Sequence, residues 1–248
     1  MSEKAILLEV AVASVEDALA ATEGGADRIE LNSALALGGL TPSLGTVLEV
    51  RRQCALPMVV MIRPRPGGFC YSATDFRTAL RDLQLMKHHG VTDFAFGMLT
   101  ETGAIDVPRC RDLVTAIGDG HAVFHRAFDL VPDTATALEQ LIDLGVRRVM
   151  TSGQEETAYN GIATIQRLFE QARGRIEILP AGGINRFNVA DIVARTGCTQ
   201  IHAGLRTKRL DPSGALKSHI TFGATFRSPE DRFDAVDPGA VTTLRQQL

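Results

Sequence analysis

This chain has little of what marks a secreted, membrane or nucleic-acid-binding protein. Its four cysteines, Cys54, Cys70, Cys110 and Cys198, are widely scattered and form no CxxC pair. They read as reduced cytosolic thiols, not as a disulfide framework or a zinc site. No apolar run approaches the ~20 residues of a membrane span. No charged-then-apolar leader precedes the first strand-like run, so no signal peptide is expected. The formal net charge is −3, which gives no reason to expect nucleic acid or a membrane surface as partner. No GxGxxG follows the first apolar run, which disfavours the runner-up fold, an open doubly wound sheet. A cytoplasmic protein with a small-molecule partner is the expectation that remains.

What is present is a repeat. Gly25-Ala26-Asp27-Arg28 leads into Ile29-Glu30-Leu31, and Gly90-Val91-Thr92-Asp93 leads into Phe94-Ala95-Phe96. Gly145-Val146-Arg147-Arg148 and Gly197-Cys198-Thr199-Gln200 lead likewise into Val149-Met150-Thr151 and Ile201-His202-Ala203. Each glycine follows a helical pattern and suits the left-handed residue that ends a helix. Four such joints, about 50–65 residues apart, indicate a fourfold repeat of a two-strand, two-helix unit. The repeat, with 248 residues, predicts an α/β fold: a single (β/α)8 TIM barrel over residues 1–248, a fold of typically about 250 residues.

Four further apolar runs complete the strand count: Ala5 to Val10, Met58 to Arg63, Ala122 to Arg126 and Ile176 to Ala181. Near-continuous apolar character fits parallel strands covered on both faces. Helical patterns alternate with them over Val15–Thr22, Ser43–Gln53, Ala73–His89, Pro108–Ile117, Asp133–Leu144, Ala158–Arg173 and Arg186–Thr196, with a last one over Val241–Leu248. Thr41-Pro42-Ser43 and Pro132-Asp133 supply capping groups and first-turn prolines. Leu205 to Pro238 is polar, mixed and too long for an ordinary loop. It is expected to be an extended excursion over the barrel mouth.

Chemistry in such a barrel belongs at the carboxyl ends of the strands. Glu9, Glu30 and Asn32, Arg63 and Arg65, His125 and Arg126 with Asp129, Ser152, Gly182 and Gly183, and His202 and Gly204 all fall there on this register. Buried charges need partners or a polar ligand. The expected catalytic set is Glu9, Glu30, His125 and Asp129, with Glu30 or His125 moving a proton. The expected anion-binding set is Asn32, Arg63, Arg65, Arg126, Ser152, Gly182, Gly183, His202 and Gly204, the glycines offering backbone N–H groups. That reading describes isomerase- or lyase-type proton chemistry on a small anionic or phosphorylated, sugar-like substrate. No lysine stands at a strand end, which disfavours a Schiff-base aldolase.

The motifs Ala26-Asp27-Arg28-Ile29-Glu30-Leu31, Gly38-Gly39-Leu40-Thr41-Pro42-Ser43, Ile62-Arg63-Pro64-Arg65 with Gly68-Phe69-Cys70-Tyr71-Ser72, Phe124-His125-Arg126-Ala127-Phe128-Asp129 and Thr151-Ser152-Gly153-Gln154 together resemble the CutC family of cytosolic barrels, labelled copper homeostasis proteins. The resemblance covers about residues 5–205. It implies a TIM barrel, a homodimer and Cu(I) binding. Family members often carry cysteine after the glutamate-leucine pair of the second strand, as a proposed Cu(I) ligand. Here that position is Asn32, which leaves Cys70 and Cys54 as the candidate metal ligands. Cu(I) prefers soft thiolate or thioether donors.

Overall fold

Eight short apolar runs become strands, and all of them run parallel. In the computed structural model, which describes residues 6–217, 219–222 and 229–248, they are β1 (Leu7–Val12), β2 (Arg28–Leu31), β3 (Met58–Met61), β4 (Asp93–Phe96), β5 (Ala122–Phe124), β6 (Arg148–Thr151), β7 (Glu177–Pro180) and β8 (Gln200–Ala203). Neighbours in sequence are neighbours in the sheet, and β8 returns to β1 with Glu9 opposite His202. A bridge between Ala181 and His202 joins β7 to β8, giving the expected (β/α)8 barrel, nearly closed.

The intervening helices are α1 (Val15–Glu23), α2 (Leu44–Gln53), α3 (Ala73–His88), α4 (Val107–Ile117), α5 (Thr134–Asp143), α6 (Ile162–Ala172) and α7 (Val189–Thr196), with α8 (Pro238–Arg245) last. The four repeat glycines take φ of +89° at Gly25, +84° at Gly90, +77° at Gly145 and +71° at Gly197. A side chain there would be strained, so glycine ends each helix and turns the chain into the next strand.

Alternation along the strands divides the core. Leu8, Val10, Ile29, Leu31, Phe94, Phe96 and Phe124 face the helices in one large apolar shell. Val59, Met61, Ala95 and Val123 form one cluster inside the barrel, and Met150, Leu179 and Ala181 another. The remaining inward positions are polar and paired. Arg28 binds Glu9 and Gln200; Gln200 also accepts from Arg148 Nε at 2.9 Å; Arg148 meets Glu177 at 2.6 Å. Without that network the two arginines would be uncompensated buried charges.

Several boundaries differ from the sequence reading. Ala5 lies outside the described residues, and the first strand continues through Val10, Ala11 and Val12, so Glu9 sits in mid-strand and not at its end. The fifth strand stops at Phe124. His125 Nδ1 accepts the N–H of Ala127 at 3.1 Å and starts a 3-10 turn, Arg126–Leu130, that takes Arg126 out of the strand. Helices α6 and α7 begin later than expected, at Ile162 and Val189. Before α7, an asparagine turn consumes the backbone: Asn188 Oδ1 accepts the Asn185 N–H at 2.9 Å.

The excursion after β8 is a hairpin arm, β9 (Arg206–Leu210) antiparallel to β10 (Arg232–Val236). Its base is drawn to α1, not across the mouth. The buried Asp17 carboxylate accepts the Val236 N–H at 2.7 Å and meets Arg206 Nη2 at 3.4 Å. Among the described residues of this segment, only Leu205 lines the mouth. Residues 218 and 223–228 of the expected excursion lie outside the described residues. Among the described residues, no helix is long and apolar enough to cross a membrane.

Candidate functional site

A cavity of about 480 Å³ opens at the carboxyl end of the barrel, a size suited to a small molecule. Nine of the residues expected at the strand ends line it: Glu30, Asn32, Arg63, His125, Arg126, Gly182, Gly183, His202 and Gly204. Met61, Met150 and Phe69 add apolar wall. The strand period brings the set together, since Glu30 on β2 and Asn32 just beyond it, and His202 on β8 and Gly204 just beyond it, are two residues apart and share a face.

Glu30 is buried, and its Oε2 accepts from Asn32 Nδ2 at 2.9 Å. Burial pushes its carboxyl up, and the Glu9 charge adds to this against the opposing pull of His202. His202 stands between the two glutamates, with Nδ1 2.8 Å from Glu9 Oε1 and Nε2 3.9 Å from Glu30 Oε2. Burial alone would lower its pKa, but the glutamates outweigh it and raise it. Glu9 lies one layer below the mouth and does not line it. Burial works against its charge, yet the His202 hydrogen bond and the Arg28, His202 and Arg148 charges hold its carboxyl down at about 2.

His125 is buried in a slot that the missing side chain of Gly97 leaves open; a Cβ there would collide with the imidazole. Burial, with the nearby Arg63 charge, pushes its pKa down to about 3, so the ring is neutral at pH 7. Since Nδ1 accepts from Ala127, the proton belongs on Nε2. Its Nε2 has no protein partner.

The arginines behave differently from expectation. Arg63 lines the cavity, but its two terminal nitrogens are spent on the carbonyls of Leu37, Gly39 and Gly67 at 3.0, 3.0 and 2.7 Å, which leaves only Nε without a partner among the described residues. The left-handed Gly38-Gly39 turn brings those carbonyls to it. Arg65 does not line the cavity. It turns to Asp75 at 3.0 Å, to the carbonyls of Pro66, Gly68 and Cys70, and over the Tyr71 ring. Flanking prolines fix its backbone, while Asp75 and those carbonyls decide where the side chain goes. Arg126 is the arginine that keeps guanidinium surface toward the cavity, anchored by Asp129 at 2.8 Å and Ser152 Oγ at 2.6 Å. Asp129 and Ser152 lie behind it. Asp129 is filled by Arg126, Thr151 Oγ1 and the N–H groups of Ser152 and Gln154. Its carboxylate is taken up in holding Arg126 and the turn after β6.

Sequence reasoning overlooked Arg28, Arg148, Glu177 and Gln200. Their signal was present, as polar residues alternating with apolar ones inside strands, such as Arg28-Ile29-Glu30-Leu31.

The thiols do not come together. Cys54 caps the end of α2 and lines a small cavity with Met58 and Gly90, at the amino side of the strands. Cys70 is exposed on the mouth side but outside the cavity. Burial pushes the Cys110 thiol up to about 12 and raises that of Cys198, which makes both poor thiolate donors. Among the described residues, the only cluster of three potential metal ligands is Glu9, Glu30 and His202, with no cysteine in it. The residues do not fit a Cu(I) thiolate site.

Comparison with known proteins gives the lineage. The CutC family model matches residues 6–207. A family protein CutC of Treponema denticola is 43% identical over 245 residues, spanning 99% of this chain and all of that protein. The human copper homeostasis protein cutC homolog is 42% identical over 238 residues, 96% of this chain and 87% of that one. A crystal structure of CutC from Streptococcus agalactiae superposes with a TM-score of 0.76 at 32% identity, over 79% of this chain and 97% of that one. A 3-hexulose-6-phosphate synthase structure, at 18% identity and a TM-score of 0.60 over 98% of this chain and all of that one, shares the fold alone. With the family model matched over most of its length and relatives above 40% identical nearly end to end, this chain belongs to the CutC family.

Proposed function

We propose that the barrel mouth binds a small, polar, anionic molecule and moves a proton on it, as an isomerase- or lyase-type enzyme does. One observation carries this reading. Of the eight buried side-chain polar atoms without a partner among the described residues, four belong to cavity-lining residues: Glu30 Oε1, Asn32 Oδ1, Arg63 Nε and His125 Nε2. Leaving such groups unpaired costs about 1–3 kcal/mol each, so a polar ligand that satisfied them would be strongly favoured.

The roles follow from the protonation states. Glu30 Oε1 is a carboxyl oxygen of raised pKa, suited to taking and returning a proton near neutral pH. The His125 Nε2–H is a neutral donor that can hydrogen-bond an oxygen as negative charge grows on it. Arg126, with the open backbone at Gly183 and Gly204, favours an anionic group on the same molecule. The copper label of the relatives supplies the competing reading, and the separated thiols weigh against it.

Inorganic phosphate is the first probe. Millimolar phosphate should raise the melting temperature at constant ionic strength, because binding to the folded state stabilises it. Arg126→Ala should abolish the rise. In D2O, a panel of small phosphorylated hydroxy-aldehydes and ketones should include one that gains deuterium beside its carbonyl, and Glu30→Gln should stop the exchange. No phosphate response and no exchange would overturn the reading.

We also propose a cytoplasmic homodimer, as the family resemblance implies. Leu210, Leu216 and Phe222, all largely exposed on the hairpin arm, support self-association. Sedimentation velocity of the full chain should give the dimer mass.

A further inference from the structure

Three ionisable side chains from adjacent strands close on one another at the floor of the mouth. One ligand atom from each of Glu9, Glu30 and His202 lies within 4.8 Å of the others. The contacts among them are unequal. His202 Nδ1 is hydrogen-bonded to Glu9 Oε1 at 2.8 Å. On the other side, His202 Nε2 stands 3.9 Å from Glu30 Oε2, too far for a hydrogen bond. Glu30 Oε1 is buried and has no partner among the described residues.

The spacing suits an ion. Ligand bonds of about 2.0–2.2 Å put two donors of one tetrahedral metal about 3.3–3.6 Å apart, so a small rotation of the Glu30 carboxylate from its 3.9 Å separation would close the pair on an ion. The tautomer suits it as well. A histidine that donates Nδ1–H to a carboxylate turns its Nε2 lone pair outward, which is the arrangement that orients metal-binding imidazoles. Arg28 holds Glu9 in place from behind, and Asn32 Nδ2 does the same for Glu30. Arg28 and Arg148 both act on Glu9 from behind, which leaves the buried, unpartnered Glu30 oxygen to face a divalent cation.

We propose that Glu30 and His202, with Glu9 as the carboxylate that orients the imidazole, form a binding site for a first-row divalent transition cation whose open face is the mouth cavity. Both ligands line that cavity, so the remaining coordination positions face the substrate space. One imidazole nitrogen with carboxylate oxygens selects Zn²⁺ or Mn²⁺ over Mg²⁺, which prefers an all-oxygen octahedron, and over Cu(I), which prefers sulfur. The inference goes beyond the acid–base reading and does not depend on it. Were an ion held there, Glu30 would serve as its ligand, and water bound to the ion would supply the acid–base chemistry in its place.

The test is calorimetric titration of the metal-free full chain with Zn²⁺, and with Mg²⁺ as the comparison. One equivalent of Zn²⁺ should bind, and Mg²⁺ should not compete. Glu30→Gln and His202→Ala should each weaken binding more than tenfold. Glu9→Gln should weaken it about 10–100-fold, as for other orienting partners. X-ray absorption at the zinc edge of the unaltered chain needs no variant and should show nitrogen and oxygen neighbours only. Sulfur in that shell, or Zn²⁺ binding that survives His202→Ala but is lost in Cys70→Ser or Cys54→Ser, would overturn the proposal, as would no binding at 100-fold excess. The phosphate response is read separately. Zinc binding without it refutes the anion site alone, and a phosphate response without zinc binding refutes the cation site alone.

Discussion

At the scale of the residue, environment decides what each titratable group can do. His125 is the sharpest case. Its folded pKa of about 3 lies well below the ordinary 6.5 because it is buried near Arg63. A neutral-when-folded histidine contributes its full stabilisation above pH 6.5, and this is lost as pH falls toward 3. Between pH 6.5 and 5 the loss should be about 2 kcal/mol, at 1.36 kcal/mol per unit. Urea unfolding across that range should show His125→Asn with a shallower acid decline than the parent chain. The Glu9 contribution, with its pKa near 2 against 4.5, is lost only below pH 4.5 and does not overlap this window. His202 and Glu30, both raised, act in the opposite sense, which is why the comparison is with a variant. The residue types at the mouth were legible from the chain. Their roles were not, because Arg63 and Arg65 are drawn away by carbonyls and by Asp75, groups that only the folded loops bring to them.

At the scale of the element, local sequence settles most helix starts. Ser72 and Asp75 form a capping box at the head of α3, each side chain bonding the other's backbone. Asp75 also anchors Arg65, so this helix start holds the loop after β3 in shape. Ser72→Ala should cost about 1 kcal/mol, the usual value of an N-cap, measured as a shift in the urea midpoint with unchanged slope. The expected boundaries succeeded where such caps exist, as at Ser43 and Asp133. They failed where a turn delays the helix, tied to the distant Gly182 carbonyl before α6 and held by its own asparagines before α7, or where the first strand runs on because its neighbours continue to pair with it. Helical periodicity cannot distinguish a helix from a turn that packs against the same core.

At the scale of the whole molecule, the barrel interior is a charged network, not a uniform apolar plug. Gln200 is its centre, accepting from both Arg28 and Arg148 and donating to Glu177 at 3.0 Å. Gln200→Leu should destabilise the chain by about 2–3 kcal/mol, because it leaves donors of two buried arginines unmet even though Glu9 and Glu177 still pair their charges. Gln200→Glu should lose much less, since two arginines still face an acceptor. Thermal and urea unfolding of the two variants should separate them clearly. The hairpin arm belongs to this scale too. Its polar composition suggested a cover for the mouth, but one buried carboxylate, Asp17, ties its base to α1.

The sequence alone determined the architecture and the family. Glycine-marked joints and apolar runs of strand length encode a barrel locally, and the motifs at the strand ends are specific enough to name the lineage. It also determined most of the cavity lining, since the strand period dictates which residues share a face. Only the tertiary structure decided which of those groups remain free. That outcome depends on partners far away in the chain: Arg28 for Glu9, Gly97 for His125, the Leu37 and Gly39 carbonyls for Arg63, and the 3.9 Å gap between His202 and Glu30. Hydrogen bonds and ion pairs are short-ranged in space but not in sequence, so their allocation appears only once the barrel has closed.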